Sequence, residues 1–138
     1  SFLASEARYL VGRDLQLRDR IIPVVGDLAG PHALAAIGRD LAGRGLTVSA
    51  LYVSNVEFYL WGDGSFDRFA ETTLGLPSDG HGVIIRSWFG RTRLHPDAVP
   101  GHLSTALVQT FDAFRSGVQA GFPSYWDLAT RNHLPPRK

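Results

Sequence analysis

The 138-residue chain contains neither cysteine nor methionine. Without cysteine it forms no disulfide bond and offers no thiolate to a metal ion, but this absence leaves the compartment open. Without methionine its first residue, Ser1, is not an encoded start. We therefore expect a processed chain or a piece of a longer protein.

Long apolar runs and an excess of one charge are absent too. No stretch approaches the roughly 20 apolar residues that cross a membrane, and no signal peptide is visible at the amino end. The formal net charge is +1, so no basic surface predicts a nucleic-acid partner. We predict a soluble cytoplasmic protein with no membrane or nucleic-acid partner, and leave a secreted or periplasmic location open.

Several catalytic motifs are missing as well. The chain has no GxSxG nucleophile elbow, which disfavours a hydrolase, and no GxGxxG or GxxxxGK[ST] phosphate loop. Its five histidines include no HExxH motif and no pair spaced four residues apart. Because helical metal ligands recur at that spacing, we predict no metal site.

The patterns that are present predict an α/β fold. Apolar, β-branched runs predict three buried strands, at about 21–26, 46–53 and 83–88. Pro23 cannot donate to a ladder, so the first strand is expected at an edge or irregular. Amphipathic or capped segments predict helices at 5–18, 31–43, 66–74, 103–118 and from 123 onward, and a short helix or turn at 55–61.

Strands separated by helices imply parallel pairing through right-handed crossovers. We therefore predict a Rossmann-like, three-layer αβα architecture with a small, mostly parallel sheet. Three strands make a thin sheet, so residues 1–138 are expected to be a single α/β domain or the carboxyl-terminal half of a larger doubly wound one. Glycine, proline and histidine in residues 90–102 predict a surface loop, and residues 134–138 predict a tail.

Polar side chains follow each predicted strand and together form the candidate site. They are Gly26 and Asp27 after the first strand, Ser54, Asn55 and Glu57 after the second, and Arg86 and Ser87 at the end of the third. Parallel strands present their carboxyl ends along one edge, where α/β sheets bind ligands. Asp27 and Glu57 would accept hydrogen bonds or act as a base, and Arg86 would pair with a carboxylate or hold an anion.

Local explanations compete with this site. Asp27 and Ser54 or Asn55 are typical helix caps, and Glu57 suits the first turn of a helix. Arg86 paired with a carboxylate serves structure equally well. Tyr52 and Tyr59 belong to an aromatic cluster that forms core or stacks on a flat ligand such as adenine.

The runs 20–34 and 48–60, with 1–6 and 85–87, resemble a family of uncharacterised bacterial proteins. The first run reads RIIPVVGDLAGPHAL and the second VSALYVSNVEFYL. Members of this family are similar to class I methyltransferases that use S-adenosylmethionine. The resemblance covers most of residues 1–90 and implies a preceding amino-terminal half that carries the glycine-rich cofactor loop.

The resemblance implies methyl transfer from S-adenosylmethionine to an unknown acceptor in a full-length protein, with Glu57 or Asp27 as base. The Asn-Pro-Pro-Tyr type of motif for amine methylation is absent. The isolated segment is expected to be inactive, because the missing half would hold most of the cofactor.

The alternative is a non-catalytic binding or interaction module that keeps the fold and uses its aromatic cluster and residues 122–126 to bind a partner or a second copy of itself. An unknown small molecule is the other predicted partner. The catalytic hypothesis depends on Glu57 facing Arg86 or Asp27.

Overall fold

The protein is a mixed α/β domain built on one small open sheet, seen in a computed structural model that describes residues 3–90 and 92–135. The described elements follow the order α1 (Glu6–Leu17), α2 (Ala33–Gly43), β1 (Ala50–Ser54), α3 (Val56–Gly62), α4 (Phe66–Leu74), β2 (Val83–Phe89), β3 (Ser104–Thr110), α5 (Phe111–Ala120) and α6 (Tyr125–Thr130). The predicted α/β class is therefore confirmed.

The sheet has the order β1–β2–β3, with β2 in the centre. β1 pairs with β2 in parallel, and the register slips after Tyr52 so that Ser54 pairs with Arg86. β2 and β3 are antiparallel over seven residue pairs, from Val83 with Thr110 to Phe89 with Ser104. One parallel and one antiparallel pair replace the mostly parallel sheet that the sequence predicts.

β3 lies where the sequence predicts the first half of a helix at 103–118. The adjacent apolar residues Leu107 and Val108 suit the apolar face of a helix. In the structure Leu107 and Gln109 are buried and their neighbours are more exposed, which is the alternation of a strand. Thr110 then caps α5, since its hydroxyl accepts a hydrogen bond from the amide of Ala113 at 3.1 Å. Residues 104–110 form a strand because they pair with β2, and the local spacing of apolar residues does not reveal a partner strand.

The predicted strand at 21–26 is wrong. Residues 20–27 are assigned no strand or helix, and the side chains of Ile22 and Val25 are exposed. Pro23 removes one ladder donor from this run, and within the described residues the edge of β1 facing away from β2 has no paired strand. The run that reads as a buried strand is therefore an exposed apolar segment.

Most other elements agree with the sequence. Ser5 caps α1 as predicted, accepting from the amide of Arg8 at 3.4 Å. α2 begins at Ala33, two residues later than expected, and its end is followed by Gly45 at φ 65°, a left-handed conformation that glycine adopts at little cost. α3, α4 and β2 fall at the predicted positions, and β1 starts later than the predicted strand 46–53.

The core lies where the helices meet the inner face of the sheet. Its most deeply buried apolar side chains come from β2, α4, α5 and α6, and they are Ile84, Phe69, Phe111, Phe114 and Leu128. α1 contributes no buried residue. No helix in the described part of the chain is long and apolar enough to cross a membrane.

The predicted loop at 90–102 has no regular structure in its described residues, although His95 is buried within it. At the start of the predicted tail, the amide of Leu134 donates to the Val108 carbonyl at 2.6 Å, which attaches this segment to β3. Residues 136–138 lie outside the described part of the chain.

Candidate functional site

The turn from β1 into α3 directs Glu57 into the protein. Ser54, the last residue of β1, has φ 51°, which is uncommon for a residue with a side chain and turns the backbone sharply. Asn55 occupies the cap position of α3 without a side-chain cap bond, and the Ser54 hydroxyl lies 3.5 Å from its Oδ1. Glu57 in the first turn of α3 is completely buried.

Glu57 meets Arg86 of β2 in a bidentate ion pair. Arg86 Nε donates to Glu57 Oε2 at 2.7 Å and a terminal nitrogen donates to Oε1 at 3.1 Å. The other terminal nitrogen donates to Gln109 Oε1 of β3 at 2.7 Å. Arg86 is 1% exposed, and Glu57 and Gln109 are 0% exposed. We call these three residues the buried ion-pair network.

The network extends beyond the sheet. Gln109 Nε2 donates to the carbonyl of Arg131, just after α6, at 3.3 Å. The ring of Phe114 lies 5.7 Å from the guanidinium carbon of Arg86. Three secondary elements and the segment after α6 are therefore connected through one buried cation.

This geometry limits what Glu57 does chemically. Both of its oxygens accept from Arg86, and the carboxylate has no solvent exposure. The contact on which the catalytic hypothesis depends is thus present, but in the form typical of a structural ion pair. A base that removes a proton from a substrate needs to reach that proton directly or through a water molecule.

Asp27 lies in a separate place. Its Oδ1 accepts from the amide of Ala29 at 2.9 Å, in the turn that precedes α2. Gly26 and Asp27 line a groove of about 870 Å³ whose lining residues all lie between positions 22 and 44. The sequence analysis predicted that polar residues at the ends of three strands converge. Because residues 21–26 form no strand, only the carboxyl ends of β1 and β2 lie side by side.

A pocket of about 490 Å³ opens at those two strand ends. Its wall carries five aromatic rings, those of Phe58, Tyr59, Trp88, Phe89 and Tyr125. Its polar groups come from Asn55, Thr92 and Arg93. We call this the aromatic pocket.

Of the predicted ligand-binding residues, Asn55 and Tyr59 line the aromatic pocket. Ser54 and Ser87 are half-buried in β1 and β2, and Arg86 is fully buried between them. Tyr52 is 67% exposed and is not part of the pocket wall. The sequence analysis did not predict as ligand-binding residues the rest of this wall, formed by Trp88, Phe89, Thr92, Arg93 and Tyr125. The aromatic pairs at 88–89 and 125–126 are nevertheless visible in the sequence.

Tyr125 joins the aromatic pocket to the network. Its ring stacks on Trp88 with centroids 5.3 Å apart, and its hydroxyl donates to the Ser87 carbonyl at 3.3 Å. Burial raises the pKa of Tyr125 to about 12, the nearby Glu57 carboxylate adds to the increase, and Arg86 opposes it. The phenol is therefore a neutral hydrogen-bond donor at physiological pH.

Fold and site together define a small mixed α/β domain with an aromatic pocket at the end of its parallel strand pair. The chain belongs to the family described as "Domain of unknown function (DUF7790)", whose model matches residues 1–122. No curated protein matches the chain. The family description assigns no reaction, so the resemblance to methyltransferases stays a prediction.

We expect Glu57→Gln to destabilise the fold by about 3–5 kcal/mol, because it leaves the Arg86 charge buried without a counter-ion. Urea unfolding measures this loss. Glu71→Gln, at an exposed position of α4, is the matched control and should change stability by less than about 0.5 kcal/mol.

Combining Glu57→Gln with Arg86→Met removes both charges, so the double variant should lose clearly less stability than the sum of the two single changes. If Glu57→Gln and Glu71→Gln lower the free energy of unfolding equally, the structural role of the Glu57–Arg86 ion pair is contradicted.

Because the pKa of Tyr125 is raised in the folded protein, we expect the free energy of unfolding to change at high pH. Its pKa is raised from 10.0 to about 12 in the fold, so below pH 10 both states keep the proton, and between these values the unfolded state loses it first. Stability from this group is therefore lost as pH rises, and Tyr125→Phe should reduce the loss between about pH 9 and about pH 11 by about 1 kcal/mol.

Urea unfolding at both pH values measures the difference, with Tyr52→Phe as the exposed control. The pKa assignment is refuted if the two variants depend on pH in the same way.

Proposed function

We propose that this domain binds a small molecule carrying a planar apolar group in the aromatic pocket. The main support for this proposal is that five aromatic rings surround one cavity at the carboxyl ends of β1 and β2. This proposal is the binding-module hypothesis of the sequence analysis, now attached to a particular cavity.

The location supports binding. Asn55 follows directly on β1, and Trp88 and Phe89 end β2. Ligands of open α/β sheets bind in the crevice beyond the carboxyl ends of parallel strands. The β1–β2 pair is the parallel pair of this sheet, so the aromatic pocket occupies the end at which a ligand is expected.

The chemistry of the wall suggests the ligand class. A volume of about 490 Å³ falls within the usual range for small-molecule sites. Aromatic rings such as Tyr59 favour a flat ligand, which they contact by offset or edge-on stacking. The guanidinium carbon of Arg93 lies 3.6 Å from the ring centroid of Trp126, which holds its charge at the pocket edge. An anionic substituent on the ligand would meet that charge.

Much of the wall is held in place before any ligand arrives. The indole nitrogen of Trp88 donates to the Arg93 carbonyl at 2.7 Å, and Tyr125 is fixed by its bond to Ser87. The buried ion-pair network holds α3, which supplies Phe58 and Tyr59 to the wall, against β2. A preorganised wall loses little conformational entropy on binding, which favours affinity.

Methyl transfer is the more specific form of this proposal. In a full-length methyltransferase-like protein the aromatic pocket would hold the unknown acceptor, and S-adenosylmethionine would bind mainly to another part of the protein. Because both Glu57 oxygens bind Arg86, any acceptor that must lose a proton would need a different base. Alignment of donor and acceptor would supply most of the rate enhancement.

The proposed Rossmann-like, doubly wound architecture has support of its own. Among the described residues, one edge of β1 has no paired strand. Apolar side chains of residues 21–25 and of α1 are exposed, Val25 completely. Exposed apolar surface of this extent is typical of an interaction site, and further chain of the same protein is the occupant we propose.

Two fluorescent probes test the aromatic pocket, anionic 8-anilinonaphthalene-1-sulfonate and its neutral analogue N-phenyl-1-naphthylamine. We expect saturable binding of both, weakened about threefold to tenfold by Tyr59→Ala because one stacking wall is lost. Tyr52→Ala is the matched control, since Tyr52 is similarly exposed but lies outside the pocket wall. Arg93→Gln should weaken only the anionic probe.

The pocket is refuted as the binding site if neither probe binds saturably. It is also refuted if Tyr59→Ala and Tyr52→Ala lower the probe affinity equally. Calorimetry with S-adenosylmethionine addresses the narrower proposal. Micromolar binding to this chain alone would show that the cofactor does not need another part of the protein.

A further inference from the structure

Three potential metal ligands from distant parts of the chain meet outside the aromatic pocket. His95 and Asp97 lie in the loop before β3, and His133 follows α6. One ligand atom from each of these residues lies within 4.8 Å of those of the other two. Asp97 Oδ2 is 2.8 Å from His133 Nε2 and 3.7 Å from His95 Nδ1.

His95 is oriented as metal-bound histidines usually are. It is 3% exposed, and its Nε2 lies 3.2 Å from the carbonyl of Ala129, to which that nitrogen donates. Its Nδ1 is therefore an acceptor and receives the backbone amide of Asp97 at 3.1 Å. A backbone carbonyl that binds one ring N–H leaves the other nitrogen unprotonated. A metal ion bound to Nδ1 would displace its hydrogen bond from the Asp97 amide.

His133 lies in the segment that follows α6. Hydrogen bonds from Gln109 to the Arg131 carbonyl and from the Leu134 amide to Val108 hold this segment on β3. The two imidazole rings pack edge to face with centroids 5.3 Å apart. His133 Nδ1 is buried and has no hydrogen-bond partner among the described residues, so the hydrogen bonds of the fold do not fully explain this ring.

We propose that His95, Asp97 and His133 form a binding site for a divalent transition-metal ion, with Zn²⁺ as the best match. Two imidazoles and one carboxylate suit zinc and its first-row neighbours better than Mg²⁺ or Ca²⁺, which prefer all-oxygen sites. Tetrahedral zinc with bonds of about 2.0–2.2 Å sets ligand atoms about 3.4 Å apart. The observed 2.8 and 3.7 Å bracket that separation, and the two histidine ligand atoms lie within 4.8 Å of each other, so side-chain shifts would complete the site.

Three protein ligands leave one coordination position for water or a small anion, as in zinc sites that react with ligands. The ion would also tie the loop before β3 to the segment after α6. The site shares no residue with the wall of the aromatic pocket, so it stands independently of the proposed small-molecule function. A hydrogen bond between His133 and Asp97 alone is the competing explanation.

The test is titration of the chelator-treated full chain with Zn²⁺ in competition with a chromophoric chelator. We expect one tight site per chain, with at least micromolar affinity. Asp97→Asn and His133→Gln should each weaken binding about tenfold or more, because each removes one ligand. His81→Ala and His102→Ala, at exposed histidines elsewhere, are the matched controls and should bind as the unaltered chain does.

Co²⁺ provides a second readout. Its visible absorption bands should report four- or five-coordination in the unaltered chain and disappear in Asp97→Asn, while circular dichroism without metal shows that the variant is folded. Absence of a micromolar site would overturn the proposal in favour of the hydrogen bond alone. Equal affinity in His133→Gln and the unaltered chain would overturn it too.

Discussion

A guanidinium stays charged at every pH that a folded protein meets, so burying Arg86 imposes a demand on everything around it. The chain meets that demand with both oxygens of Glu57 and the amide oxygen of Gln109. These partners come from α3 and β3, on either side of β2 in the sequence. Their positions therefore fix how α3 lies on the sheet and which residues of β3 face inward.

A buried pair of this kind does not by itself raise stability, because desolvation cancels much of the attraction. Its stronger effect here is on specificity. A one-residue slip of β3 against β2 would turn Gln109 to the opposite face and leave an Arg86 donor without its acceptor. The antiparallel register and the ion pair thus support each other.

The network holds one part of each proposed site. On one side, Ser87 follows Arg86 and holds the hydroxyl of Tyr125, whose ring lines the aromatic pocket. On the other side, Gln109 holds the Arg131 carbonyl, two residues before His133. The rigid frame therefore fixes Tyr125 and the segment of His133, whereas His95 and Asp97 lie in the loop before β3.

The sequence by itself determined the local structure: the cap at Ser5, the helices at 6–17 and 56–62, the central strand β2 and a polar cluster after β1. It also indicated that Glu57 would face Arg86 or Asp27, and the contact with Arg86 forms. These features follow from short-range patterns that the residues carry themselves. Only the tertiary structure decided the rest. Residues 104–110 form a strand because they pair with β2, whereas residues 21–26 pair with no strand in the described part of the chain. The aromatic pocket and the cluster of His95, Asp97 and His133 join residues more than 30 positions apart. Their proximity is set by packing and strand register, which no local pattern encodes.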